Sequence, residues 1–151
     1  MANTIREQII SAYATRLATI TTVNGYNYNI GSNIYRAIKD VDKTPAAVIW
    51  PFADTNINQE YGSFTCTMPI KIEAINEFGT TNHSVVQEKL YADLLKCIFD
   101  TSVTISNKVE NVVFTSGGNS DAANAEDTAT GAYIEIEITY NIKIGDPYTQ
   151  L

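Results

Sequence analysis

The chain predicts an α+β fold: a mainly antiparallel, twisted sheet with two helices packed on one face and a long hairpin with a mobile tip. Three observations predict it. Residues 132 to 144 alternate, with Ala132, Ile134, Ile136, Ile138, Tyr140, Ile142 and Ile144 on one side and Tyr133, Glu135, Glu137, Thr139, Asn141 and Lys143 on the other, the period-2 signature of a strand with one buried face. A second run matches it, with Phe64, Cys66, Met68, Ile70, Ile72, Ala74 and Phe78 alternating with Thr65, Thr67, Lys71, Glu73 and Glu77. Only two stretches carry helical spacing, too few helices to cover both faces of a parallel sheet.

The elements follow in order. Thr4 followed by Glu7 makes a capping-box pattern, and Ile5, Ile9, Tyr13, Leu17 and Ile20 recur at helical spacing, so residues 4 to 20 read as an amphipathic helix with Arg6, Glu7 and Arg16 toward water. Asn24-Gly25 supplies a turn. A short strand through Tyr26, Tyr28 and Ile30 is expected next, resuming at Ile34 and Tyr35 beyond Gly31. Residues 36 to 44 form a charged connection. Ala46 to Trp50 is a buried strand, stopped by Pro51, and residues 53 to 63 form a loop or short hairpin leading into the first long strand.

Pro69 cannot donate a ladder hydrogen bond, so an edge position or a bulge is expected there, partly interrupting that strand. Asn82 or Ser84 caps a second helix over about 83 to 99, whose apolar stripe is Val86, Leu90, Leu94 and Cys97. Residues 109 to 115 read as a strand. Residues 116 to 131 hold no large apolar side chain and cannot offset their ordering entropy by burial, so they are expected to form the mobile tip of the hairpin.

Strand length is the unusual feature. At roughly 3.3 Å per residue, strands of about 13 to 15 residues reach some 40 to 50 Å, whereas a compact domain of this size is about 40 Å across. Such strands span the domain or project from it to serve a neighbouring subunit.

The 151 residues, 44% hydrophobic and 18% charged, fit one domain over 1–151. No apolar stretch is long enough for a membrane span. Cys66 and Cys97 fall on oily faces and read as reduced core residues rather than a disulfide. A net charge of −7 argues against tight binding to phosphate backbones, although like charge would let a polyanion slide through an acidic passage.

No motif carries chemistry. His83 is the sole histidine and reads as a surface residue in the first turn of the second helix. Glu135 and Glu137 share a strand face at about 7 Å, superficially suited to a carboxylate pair, but a solvated sheet face explains them. Asp40 with Asp42, or Asp121 with Glu126 and Asp127, lacks the spacing of a calcium loop, and Gly117-Gly118 lacks the Lys and Ser or Thr of a phosphate loop. Neither enzymatic activity nor a cofactor is expected. Of nine tyrosines, Tyr26, Tyr28, Tyr35, Tyr61 and Tyr133 read as partly exposed, as suits protein contacts.

Placed on these elements, several segments resemble the tail terminators, or tail completion proteins, of long-tailed bacteriophages. They are the opening Thr4-Ile-Arg-Glu-Gln-Ile-Ile with Arg16-Leu-Ala, Gly25-Tyr, Ile30-Gly, Tyr35-Arg36, Ala46-Ala-Val-Ile-Trp, Ile70-Lys-Ile-Glu-Ala, the helix from Val86 to Ile98, and the closing strand from Tyr133 to Ile144. The resemblance covers nearly the whole chain and implies an α/β or α+β fold without catalytic residues. It also implies a homo-oligomeric, hexameric ring that caps the tail tube, stops its polymerisation and offers the head-joining surface. The implied partners are further copies of the chain, the tail-tube protein and a head–tail connector protein, with DNA met only in passage and no membrane. The implied location is the virion tail, assembled in the host cytoplasm. Interface residues are expected at Tyr28, Tyr35, Arg36, Tyr61, Asp121, Glu126, Asp127, Tyr133, Glu135 and Glu137. Alternatives are another phage connector, such as a head-completion or neck protein, a small-ligand or protein-binding module using the tyrosine-rich sheet face, and a hydrolase using Glu135 and Glu137.

Overall fold

The computed structural model of the protein describes residues 2–38, 41–100, 105, 108–120 and 128–150. Its elements are α1 (Ile5–Leu17), β1 (Ile34–Arg36), β2 (Ala46–Pro51), β3 (Thr55–Glu60), β4 (Ser63–Glu77), α2 (His83–Phe99), β5 (Asn111–Asn119) and β6 (Ala129–Lys143). The strands make one open sheet in the order β1-β2-β4-β6-β5, with β3 also on β4. Every pairing is antiparallel except that of β1 with β2. The fold is α+β, as the alternating runs and the two helical stripes predict.

The even-numbered side chains of the central strands meet both helices. Ile9, Tyr13 and Leu17 of α1 and Leu90, Leu94 and Ile98 of α2 join Ile49, Met68, Ile70, Ile72, Ile134, Ile136 and Ile138 in one buried cluster. Each large aliphatic side chain so buried contributes roughly 2 kcal/mol against exposure, which fixes the register, since a slip of one residue would turn the whole stripe to water. Cys66 and Cys97 are buried free thiols.

The two long strands are unbroken. β4 and β6 are 15 residues each and pair over their whole length, from Ser63 opposite Lys143 to Glu77 opposite Ala129. The interruption expected at Pro69 does not occur, and its position explains why. β3 pairs with β4 at residues 63–67 and β2 at residues 70–75, so Pro69 lies where one neighbour gives way to the other. Its carbonyl accepts from the Phe52 N–H at 3.0 Å. Both polar groups of a residue in an antiparallel strand point to the same side, so the missing N–H would have faced that junction.

Other boundaries also differ from expectation. Thr4 caps α1, its Oγ1 accepting from the Glu7 N–H at 3.0 Å, but the helix ends at Leu17 rather than residue 20. Residues 26–30 do not form the expected strand. The Asp93 carboxylate takes the N–H groups of Asn27 at 2.9 Å and Tyr28 at 3.0 Å, the donors that a ladder would have used. The loop is thus tied to α2, and short 3-10 turns stand at Thr22–Asn24 and Ile30–Ser32. Helix α2 occupies 83–99 with Asn82 as its cap, the Asn82 side chain accepting from the Ser84 N–H at 2.9 Å.

The segment 116–131 is the largest correction. Residues 116–119 continue β5 and residues 129–131 begin β6, pairing with β6 and β4 respectively. Close packing accounts for two of its glycines. A Cβ on Gly117 would come within 2.7 Å of the Tyr91 ring, and one on Gly131 within 2.3 Å of the Ser120 Oγ and 3.0 Å of the Ala74 carbonyl. The remaining candidates on that tip, Asp121, Glu126 and Asp127, lie outside the described residues.

Candidate interaction surface

The odd-numbered side chains of β4 and β6 form the second face of the sheet, and both helices lie on the other. Register places its residues in rows across the strands. Tyr35, Val48, Glu73, Tyr133 and Gly118 make one row, from β1 to β5, and Trp50, Lys71, Glu135 and Ser116 the next. Pro69, Glu137 and Val113 make a third. Four of the expected interface residues, Tyr35, Tyr133, Glu135 and Glu137, therefore share one face.

Lys71 organises the centre of that face. Its ammonium lies 3.9 Å from the Glu73 carboxylate and 5.0 Å from the centroid of the Tyr133 ring, a charge pair and a cation–π contact on one side chain. The Tyr133 hydroxyl in turn shares a hydrogen bond of 3.2 Å with the Ser116 hydroxyl. Glu135 stands directly opposite Lys71 across the β4–β6 ladder, so the supposed carboxylate pair of Glu135 and Glu137 has a cation built in beside it. That arrangement sets a cation opposite one of the two carboxylates on a shared sheet face.

The other expected residues lie elsewhere. Both terminal nitrogens of Arg36 donate to the Glu7 carboxylate at 2.7 Å, joining β1 to α1. Glu7, read as facing water, is partly exposed and commits its carboxylate to this bidentate pair. The Arg36 guanidinium holds the Glu7 carboxyl below its ordinary pKa. Arg6, also expected toward water, pairs with Asp54, which accepts in addition from the Tyr140 hydroxyl at 2.8 Å. Tyr28 packs against the core beside Asp93. Tyr61 sits in the turn between β3 and β4 and is fully exposed.

Sequence reasoning missed Trp50 and Lys71, whose places depend on register between strands distant in the chain. It also missed several exposed apolar groups. Phe52, Ile57, Ile144 and Tyr148 are each more than a third exposed, and the Ile144 N–H donates to Gly62 at the Tyr61 turn at 3.1 Å. The only sequence signal was Ile57 standing amid Asn and Gln.

A cleft of about 430 Å³ runs between α1 and the end of α2, lined by Arg16, Tyr26, Cys97, Asp100 and Lys108 among others. Burial pushes the Cys97 thiol up, and the Sγ donates to the Arg16 carbonyl at 3.3 Å, so it is a neutral thiol and a poor nucleophile. Among the described residues no group of three His, Cys, Asp or Glu side chains is placed to hold a metal ion, and no helix is long and apolar enough to cross a membrane.

The fold and surface define a two-layer α+β domain with helices on one sheet face and a polar, tyrosine-bearing second face. Compared with known protein families and with characterised proteins, the chain matches no family model and no curated relative.

Proposed function

We propose that this chain is a structural, non-enzymatic subunit of a homo-oligomeric ring that caps a bacteriophage tail tube, ends its polymerisation and offers the surface to which the head joins. The carrying observation is the β4–β6 ribbon. Fifteen paired residues extend about 50 Å at roughly 3.3 Å per residue, longer than a solitary domain of this size requires. At the ribbon's Ser63–Lys143 end every residue of β3 is exposed. Tyr61, Ile57 and Ile144 stand bare there, the kind of apolar surface that a partner covers. The resemblance of the chain's segments to tail terminators supplies the identity of the assembly, and the net charge of −7 suits a passage that DNA traverses without adhering.

Native mass spectrometry of the purified protein tests the assembly. The expected result is one closed oligomer, with six copies the stoichiometry the resemblance implies. A monomer at every concentration, alone and with tail-tube subunits, would refute the ring.

A further inference from the structure

We infer that the outer edge of β5 is a strand-addition site for a second copy of this chain, whose β3 continues the sheet antiparallel to it. This deepens the ring reading above and rests on it.

Edge strands invite pairing by other chains and are usually guarded by charge, proline or shortness. β1 is guarded by its three residues. β5 has nine residues with neither a charge nor a proline, and among the described residues its one protective feature is the bulge between Phe114 and Ser116. Among the described residues it pairs with β6 alone, and its Val113 and Phe114 are 46% and 42% exposed. On the opposite edge, β3 is exposed throughout, and its Ile57 is 60% exposed.

Charge allows a second copy as the occupant, and strand direction favours it. Copies that each carry −7 repel, and contact is least costly where neither surface is charged. Residues 111–119 of β5 are uncharged, and β3 carries a single charge, at its last residue Glu60.

Direction agrees. β5 opposes β6, β6 opposes β4 and β4 opposes β3, so β3 runs against β5, and a copy moved sideways across the sheet presents it in antiparallel sense. The two edges are not level: β5 lies beside residues 132–139 of β6, whereas β3 lies beside the part of β4 that pairs with residues 139–143. Joining them staggers each copy by roughly five residues, about 17 Å. Stagger and strand tilt are what a sheet needs in order to curve into a closed ring, and contact between two different edges is the heterologous kind that closes rings.

The test labels both edges. Cys66 and Cys97 are buried, so Val113→Cys and Ile57→Cys proteins are treated with a short bis-maleimide, separately and mixed, and the same samples are sized by light scattering. Cross-linked dimer in the mixture, at least tenfold above either variant alone, is expected, as is loss of the oligomer in Val113→Lys with its circular dichroism unchanged. Cross-linking of Val113→Cys alone would show β5 pairing with itself and overturn the inference. An intact oligomer without cross-linking would overturn it and leave the ring standing, whereas a monomer throughout would remove both.

Discussion

The Asp93 carboxylate lies on α2 yet organises backbone at Asn27 and Tyr28, and it also accepts from the Asn27 side-chain amide at 3.0 Å. Hydrogen bonds to a charged group contribute about 1.5–3 kcal/mol, and here one carboxylate accepts three of them. Asp93→Ala is therefore expected to lower stability by about 2–4 kcal/mol, measured by urea unfolding. A second residue-scale prediction concerns Glu7. Its folded pKa lies below the ordinary carboxylate value because Arg36 binds the ionised form, so its stabilising effect is present above the unfolded value and is lost as pH falls through the folded one. Both side chains are more than a third exposed, which limits the pair to less than about 1 kcal/mol. In Arg36→Ala the Glu7 carboxyl is expected to titrate at higher pH, followed by NMR.

At the scale of elements, the hairpin of β5 and β6 carries the sharpest prediction. Removing residues 116–131 deletes paired positions in both strands, including the buried Thr130 and Gly131, and is expected to lower the melting temperature markedly. A cut confined to 121–127 keeps every one of those pairs in place and is expected to lower it less. Gly131→Ala, whose methyl would meet the Ser120 Oγ and the Ala74 carbonyl, is expected to cost about 1–3 kcal/mol by overpacking. The alternation in β4 and β6, the Asn82 cap and the apolar stripe of α2 were legible in the chain because each is a local pattern. The end of β5 was not. Ser116-Gly-Gly-Asn looks like loop by composition, and it takes the Tyr91 and Phe114 rings beside Gly117 to make a small residue fitting there in a strand. Tyr26 to Ile30 failed for the mirror reason, since alternation predicted a ladder whose donors a distant carboxylate had already taken. In the candidate surface, Tyr133, Glu135 and Glu137 were legible as one face of a single strand, whereas Lys71 and Trp50 join them through pairing between strands that period alone does not specify.

For the whole molecule, length and charge act together. A ribbon of about 50 Å reaches beyond the helical layer, and in the proposed ring the nearly uncharged edges of an acidic body would direct where copies meet. The same edges carry a hazard, since unguarded strands template open-ended association as readily as closed rings. The exposed Tyr61 turn lies outside the helical core, so Tyr61→Ser is expected to leave unfolding within about 0.5 kcal/mol of the parent while weakening capture of tail-tube subunits in a pull-down. Electron microscopy of tail-tube subunits polymerising with and without the protein tests the central claim most directly. The account predicts tubes that stop growing with a ring at one end; tubes of unchanged length with bare ends would contradict it.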